Sequence, residues 1–168
     1  PNALEAMDHP SGDGPNTYVV SKVTKESGVK MALSGLGGDE LFAGYDKYKY
    51  FFADENVFSC NEEQFVNAYA ESISLFGKER LSKVLSQSAL EQIENKNFYN
   101  DKVKEVLNEV PHMDRINKVL YLDTQLLLSG NNLVKPDRMG MAVSIENRAP
   151  FLDYRVIEHA FSMPGKLK

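Results

Sequence analysis

The order of apolar and polar positions near the N-terminus predicts a helix, a strand and a second helix. Pro15 can occupy the first turn of a helix whose apolar positions run to Gly28, a residue suited to a helix C-terminus. The short apolar run of residues 29–33 predicts a β-strand, and the glycine-rich turn of residues 34–38 leads into a helix that opens at Asp39. This succession forms one unit of an α/β sheet.

The rest of the chain has a helical period. Residues 46–112 predict several helices, and residues 114–128 form the strongest amphipathic candidate, with Asp123 on its apolar stripe as a core acid satisfied by hydrogen bonds. A loop is expected at residues 130–132, and a last helix from residue 153 to about 163. Because one strand cannot satisfy its own edges, we expect the first strands of the sheet to lie outside this numbering.

Composition and charge indicate an ordinary globular chain. The 168 residues are 42% hydrophobic and 26% charged, and no Lys or Arg cluster accompanies the net charge of −5, which argues against a nucleic-acid or anionic-membrane partner. No apolar run approaches the roughly 20 residues of a membrane span. The lone Cys60 favours a reducing compartment, the cytoplasm, and the start at Pro1 suggests a longer parent chain.

The glycine-rich turn is the first candidate for chemistry, with the sequence Ser-Gly-Leu-Gly-Gly-Asp-Glu-Leu-Phe-Ala-Gly-Tyr at residues 34–45. Backbone N–H groups exposed between a strand and a helix favour a phosphate. Carboxylates at Asp39 and Glu40 would repel that phosphate unless Mg²⁺ joined them. The alternative is structural: Asp39 is a helix N-cap, and Glu40 an acid favoured by the helix dipole. The Gly-Lys-Ser/Thr ending of a Walker loop is absent.

A second candidate is the segment 135–153, in which charged residues alternate with apolar ones. A segment this apolar is expected to be partly buried, and buried charges need partners. Two interpretations follow. In one, the segment is a wall of an active site whose charges meet substrate or ATP. In the other, five charged residues pair among themselves: Asp137, Arg138, Glu146, Arg148 and Asp153.

Three motifs in this order resemble the C-terminal synthetase domain of the class B, glutamine-hydrolysing asparagine synthetases. Residues 7–18 are similar to the family's Asp-x-Pro-x-x-Asp-Gly-x-Asn-Thr-Tyr stretch, and residues 34–45 match its Ser-Gly-x-Gly-Gly-Asp-Glu-Leu-Phe-x-Gly-Tyr motif. Residues 139–153 match Met-x-Met-Ala-x-Ser-x-Glu-x-Arg-x-Pro-Phe-Leu-Asp. Residues 46–112 resemble the family only in their helical character. The long motifs favour the functional interpretation of both segments.

The resemblance implies an α/β fold of the ATP-pyrophosphatase (adenine-nucleotide-hydrolase-like) type, a parallel sheet wrapped by helices, of which this chain holds a mostly helical part with little strand. Residues 1–168 would be part of one synthetase domain: an α/β unit with the ATP loop at 1–45 and a helical part at 46–168. It implies adenylation of aspartate by ATP and Mg²⁺, followed by attack of ammonia. The ammonia would come from the parent's own N-terminal glutaminase domain, absent here, and a homodimer is one assembly the family allows.

The resemblance also implies roles for particular residues. Asp39 would hold Mg²⁺ on the pyrophosphate. Glu146 is a candidate active-site carboxylate, with Arg148 as its partner. The expected ATP contacts come from the glycine loop: Ser34, Gly35, Gly37 and Gly38.

Two departures from the family pattern bear on these expectations. Some relatives carry Glu or Tyr at the position of Leu36, and that Glu or Tyr contacts the reacting intermediate. Leu36 cannot do so by charge or hydrogen bond, which leaves the choice of substrate open. The pyrophosphate signature Ser-Gly-Gly-x-Asp-Ser and a Lys-rich segment would lie before Pro1 and after Lys168, so we expect the parent to be an enzyme and this chain alone to be inactive. The alternatives are an amidotransferase acting on a polysaccharide sugar acid or a β-lactam precursor, and an inert helical binding module.

Overall fold

A computed structural model describes residues 2–7, 12–74, 78–94 and 98–168, so residues 8–11 of the first motif lie outside the described residues. The strands are β1 (Met31–Leu33) and β2 (Glu146–Arg148), and a π-helix (Thr124–Asn132) and 3₁₀ turns (Pro150–Leu152, Gly165–Leu167) also occur. The α-helices are α1 (Asn2–Ala6), α2 (Gly14–Glu26), α3 (Gly38–Phe42), α4 (Asp46–Phe52), α5 (Asn56–Ser59), α6 (Glu62–Ile73), α7 (Lys78–Val84), α8 (Gln87–Glu94), α9 (Phe98–Asn108), α10 (Arg115–Asp123), α11 (Val134–Met141) and α12 (Tyr154–Ser162). Among the described helices, none has the length and apolar character to span a membrane.

The chain forms two compact units. The first contains residues 1–44 and 123–168, and the second contains residues 45–122. The sequence prediction also draws a division near residue 45 but groups residues 123–168 with the preceding helices. In the structure those residues belong with the N-terminal part, because β2 pairs with β1. Both strands, the glycine loop and the segment 135–153 therefore lie in the first unit.

Local signals determine α2 and β1. Pro15 lies in the first turn of α2, where its missing N–H costs no helical hydrogen bond. The helix ends before Gly28, whose φ of 85° lies in the left-handed region that glycine enters without steric cost. Strand β1 lies within the predicted range 29–33. The predicted helix and strand are confirmed.

The prediction of a single strand is wrong, because β2 pairs in parallel with β1. In the register of the pair, Met31 lies opposite Glu146 and Leu33 lies opposite Arg148, and all four side chains are exposed. The intervening Asn147 is half-buried towards α11, and its side-chain amide donates to the carbonyl oxygen of Pro136 at 2.7 Å. One face of the sheet is therefore covered by helix, and the other face is exposed within the described chain.

Helix α11 approaches β2 closely because residue 140 is a glycine. A methyl group at Gly140 would overlap the side-chain nitrogen of Asn147 and lie 2.8 Å from the carbonyl oxygen of Ile145. Gly140 is buried, and its carbonyl oxygen accepts a hydrogen bond from the N–H of Ile145 at 2.9 Å. This contact fixes the height of β2 above α11 and thus the position of Glu146 and Arg148.

The predicted loop at residues 130–132 is also wrong, because these residues complete the π-helix that continues α10. The N–H of Leu133 donates to the carbonyl oxygen of Leu128 at 2.9 Å, which is the wider i→i+5 spacing. The turn-forming residues Gly130 and Asn131 thus remain in a helical path. Asp123, at the junction, is only 2% exposed. No buried side-chain N or O atom of the described residues lacks a partner, which confirms Asp123 as a satisfied core acid.

Helix α12 begins where the sequence predicts it. Asp153 is its N-cap, and one carboxylate oxygen accepts hydrogen bonds from the backbone N–H and guanidinium of Arg155 at 3.0 and 2.8 Å. The second oxygen accepts another guanidinium N–H at 2.7 Å. The side-chain bond to Arg155, followed by the backbone bond, lowers the pKa of Asp153 to about 2. The helix ends at Ser162, before Pro164.

The second unit is a helical core. Phe65, Tyr69 and Leu120 are almost fully buried, and α6 begins with a capping box between Asn61 and Gln64. Arg115 donates to the carbonyl oxygens of Val57 and Cys60, and its guanidinium lies 4.8 Å from the centre of the Phe65 ring. The unit is thus held by burial and by one well-satisfied arginine.

The aromatic cluster of residues 45–52 serves that core for the most part. Phe51 packs edge-on against Tyr69, with ring centres 5.0 Å apart, and Tyr48 is 2% exposed. Tyr50 is the exception, at 73% exposure. The other aromatic residues of this cluster are buried or half-buried.

Candidate functional site

The two sequence motifs meet at the carboxyl ends of β1 and β2. Leu33 and Arg148 are register partners at the last position of each strand, and the N–H of Ser34 donates to the carbonyl oxygen of Arg148 at 2.7 Å. The glycine loop and the 150–152 turn therefore leave the sheet side by side. In open α/β sheets, ligands bind in the crevice beyond the carboxyl ends of parallel strands.

Hydrogen bonds within the loop fix its shape. The hydroxyl of Ser34 accepts from the N–H of Leu36 at 3.3 Å, and the N–H of Gly38 donates to the carbonyl oxygen of Gly35 at 3.1 Å. Gly37 is the N-cap of α3, with φ of 87°, a conformation that costs a residue with a Cβ roughly 1–2 kcal/mol. The turn therefore needs glycine at residue 37 for conformational reasons.

The same loop packs against the second motif. A methyl group at Gly37 would overlap the Leu152 side chain and lie 3.1 Å from its Cγ, and one at Gly38 would lie 3.5 Å from the Phe151 ring. Phe42 of α3 meets Phe151 edge-on, with ring centres 6.1 Å apart. The two motifs thus pack directly against each other.

The adjacent acids Asp39 and Glu40 lie in different environments. Glu40 is 1% exposed, and its carboxylate accepts a hydrogen bond from the side-chain amide of Asn132 in the π-helix at 2.8 Å. Asp39 is exposed. The structural alternative of Asp39 as N-cap is wrong, because Gly37 holds that position and no side chain caps the helix.

Glu146 and Arg148 bind each other on the exposed face of β2. The guanidinium donates to both carboxylate oxygens, at 2.9 and 3.3 Å, because residues two apart in a strand share a face. These hydrogen bonds, and then the attraction of opposite charges, lower the pKa of Glu146 and raise that of Arg148. Both side chains remain more than half exposed. Of the five charges predicted to pair among themselves, Glu146 and Arg148 do so, whereas Asp153 pairs with Arg155. Lys135 of the same segment pairs with Asp13.

The donor set fits Mg²⁺ only if phosphate supplies further ligands. Among the described residues, no group of three or more His, Cys, Asp or Glu side chains could hold a metal ion. Mg²⁺ commonly takes one or two carboxylates together with phosphate oxygens and water. An exposed Asp39 beside a glycine loop is a donor set of that kind.

The family model described as asparagine synthase matches residues 1–168. The chain belongs to this family. It is 32% identical to asparagine synthetase [glutamine-hydrolyzing] 1 of Bacillus subtilis over 173 residues, covering 90% of this chain and 27% of that protein. It is also 31% identical to asparagine synthetase 3 of the same organism, covering 82% of the chain and 21% of the relative.

A protein of Methanocaldococcus jannaschii named Putative asparagine synthetase [glutamine-hydrolyzing] 1 is 27% identical. The matched region covers 94% of this chain and 18% of that protein. The chain thus spans about a quarter or less of these relatives. No solved structure matches it. The small parallel sheet among helices is compatible with part of an asparagine synthase domain.

In this member of the asparagine synthase family, sequence reasoning missed the partners that hold the predicted residues. The sequence predicts a loop at Asn132, yet the side-chain amide of this residue donates to Glu40. The sequence predicts no partner for Lys135, yet its ammonium lies 3.3 Å from a carboxylate oxygen of Asp13 at the start of α2. Neither pairing has a spacing signal, because the partners are far apart in sequence.

We expect the Glu146 carboxylate to titrate below its usual pKa. The lowered folded-state pKa means that the pairing with Arg148 is fully present above the ordinary glutamate pKa and is lost as pH falls through the lowered value. Carboxyl ¹³C NMR titration measures this directly. In the Arg148→Ala variant the midpoint should return towards the ordinary value; an unchanged midpoint would show that another group sets it.

Proposed function

We propose that the chain is part of the synthetase domain of a glutamine-dependent ligase that converts aspartate to asparagine with ATP. The observation that carries this proposal is the meeting of the glycine loop and the second motif at the carboxyl ends of β1 and β2. Membership of the asparagine synthase family and the names of the relatives support the choice of reaction. The fold of the complete domain would be of the ATP-pyrophosphatase type.

Each predicted site residue has a task in this reaction. The loop residues Ser34, Gly35, Gly37 and Gly38 would receive ATP phosphates through backbone N–H groups and the serine hydroxyl. Asp39 would hold Mg²⁺, which neutralises charge that develops on the departing pyrophosphate. Glu146 would face the substrates as a carboxylate oriented by Arg148. The hydrogen bonds from Arg148 fix the direction of the Glu146 carboxylate and lower its pKa.

The proposed reaction has two displacements. A carboxylate oxygen of aspartate attacks the α-phosphorus of ATP, and the bond between the α-phosphorus and the bridging oxygen breaks to release pyrophosphate. Ammonia then attacks the activated carbonyl carbon, AMP departs, and the nitrogen loses a proton to give the amide. Holding the reactants in line at the strand ends supplies rate by proximity.

The proposed partners follow from the names of the relatives. Glutamine hydrolysis in those proteins points to ammonia delivered by an N-terminal glutaminase domain of the same parent chain. The small-molecule substrates would be aspartate, ATP and this ammonia, in the cytoplasm. A homodimer of the parent is part of the proposal.

The first test is the nucleotide product. The full-length protein should convert ATP to AMP and pyrophosphate in an acceptor-dependent manner, because adenylation breaks the α–β bond. Nucleotide chromatography with and without aspartate measures this. ADP and phosphate as products would contradict the proposal, and absence of any ATP turnover would favour the inert helical module.

A second candidate rests on Leu36. Its side chain is half-buried in the loop and offers no charge or hydrogen bond at a position where some relatives carry Glu or Tyr. An amidotransferase acting on a polysaccharide sugar acid or a β-lactam precursor is consistent with an apolar residue there. A panel of carboxylate acceptors distinguishes the two: a kcat/KM for aspartate below that for such an acid would select the second candidate.

A further inference from the structure

Asp39 and Gly44 lie against each other across the short helix α3. The N–H of Gly44 donates to the carbonyl oxygen of Asp39 at 3.1 Å, which closes the end of the helix. A methyl group at Gly44 would overlap carboxylate oxygen Oδ1 of Asp39 and lie 2.9 Å from its Cγ and 3.1 Å from its Cα. The Asp39 side chain therefore occupies the space that any other residue at position 44 would fill.

Backbone conformation gives no reason for this glycine. The residue of the α3 C-terminus that adopts the left-handed conformation is Ala43, with φ of 55°. Across the described residues, the glycines with positive φ are Gly28 and Gly37. Gly44 is not one of them, so the requirement at this position is the space beside Asp39.

Asp39 is also the acid of its pair that can face a ligand. Its neighbour Glu40 is buried and bound by Asn132. The Glu40 carboxylate therefore cannot take the place of the Asp39 carboxylate if Asp39 rotates away from the ligand. A one-carboxylate Mg²⁺ site depends on the direction of that carboxylate, since the remaining ligands come from phosphate and water.

We infer that Gly44 is a positioning residue for the Asp39 carboxylate: the missing side chain at position 44 lets the carboxylate lie where it can hold Mg²⁺ on ATP. This inference rests on the proposed function, because that proposal assigns Mg²⁺ to Asp39. Residues that orient a metal ligand typically change metal affinity about 10- to 100-fold when they are altered.

The test is Gly44→Ala in the full-length protein. Binding of Mg²⁺ is measured by calorimetry in the presence of α,β-methylene-ATP, whose α–β bridge is not cleaved, so the readout does not depend on turnover. We expect the Mg²⁺ dissociation constant to rise about tenfold. The melting temperature without metal should stay near that of wild type, because the exposed Asp39 side chain can rotate into solvent. Gly130→Ala is the control, since a methyl group there contacts nothing within 4 Å.

A double-mutant cycle with Asp39→Asn separates the positioning role of Gly44 from the assignment of Mg²⁺ to Asp39. If Gly44 acts through the carboxylate, Gly44→Ala should change Mg²⁺ affinity no further in the Asp39→Asn background. An equal loss in both backgrounds, or no loss in the wild-type background while Asp39→Asn weakens binding, overturns the inference alone. Unchanged Mg²⁺ affinity in Asp39→Asn overturns the metal assignment and this inference with it.

The cycle also covers a variant that folds poorly. Should Gly44→Ala lower the melting temperature strongly, Asp39→Ala combined with Gly44→Ala should restore it, because the overlapping carboxylate is then removed. Failure of the double variant to recover would show that the methyl group disturbs the backbone rather than Asp39, and would overturn the inference.

Discussion

Replacing Asp39 with asparagine should slow pyrophosphate release by the full-length protein about a hundredfold or more, while its melting temperature stays near that of wild type. Asparagine removes a full negative charge from the proposed Mg²⁺ site but keeps the size of the side chain. Folding should tolerate the change because Asp39 is exposed and does not cap α3, whose N-cap is Gly37. Pyrophosphate release and thermal unfolding are measured side by side at low and high Mg²⁺.

The control for this prediction is Asp46→Asn. Asp46 is also an exposed acid in the first turn of a short helix, but it lies in the second unit. It should leave turnover and its Mg²⁺ dependence unchanged. Wild-type turnover by Asp39→Asn at limiting Mg²⁺ would remove the argument for a metal at this loop.

Gly37→Ala should reduce both stability and ATP binding. The left-handed backbone costs alanine about 1–2 kcal/mol. Overlap of the new methyl group with Leu152 adds about 1–3 kcal/mol for overpacking. Relief of that overlap would displace the loop from the 150–152 turn, so the KM for ATP should rise as well. Urea titration gives the free energy of unfolding, and initial rates give the KM.

Gly28→Ala separates the two contributions. Gly28 has nearly the same φ, 85°, but a methyl group there contacts nothing within 4 Å. The free energy of unfolding of Gly28→Ala should fall only by the amount due to backbone strain, and the variant should keep the wild-type KM for ATP. Equal losses of stability in the two variants would show that the Leu152 side chain moves aside at no cost in free energy.

Sequence signals predict the elements that are determined locally. Pro15 and Gly28 bound α2, the apolar run before Ser34 forms β1, and Asp153 caps α12 through its own side chain. Strand β2 has no such signal, because Glu-Asn-Arg is a polar run with weak strand propensity. It is a strand because β1 and Gly140 of α11 offer it a partner and a close surface.

In the candidate site, too, the sequence predicts some features and leaves others to contacts between distant residues. The resemblance supplies Ser34, Asp39 and Glu146 by motif position. It cannot supply the contacts that orient them, such as the Asn132 amide on Glu40 or the space that Gly44 leaves beside Asp39. The turn formers at 130–132 suggest a loop, yet the i→i+5 hydrogen bond from Leu133 keeps Asn132 on a helix that faces α3.

The division of the first unit into two separate stretches of chain has a consequence for how the protein is made. Residues 45–122 are an insertion between the two halves of the site. During synthesis from the N-terminus, the glycine loop emerges well before β2. Strand β1 therefore cannot pair until the distant β2 has been made. Pairings of this kind close large loops and form late in folding. The candidate site is therefore expected to be among the last features to assemble, after the inserted helices have collapsed on their own core.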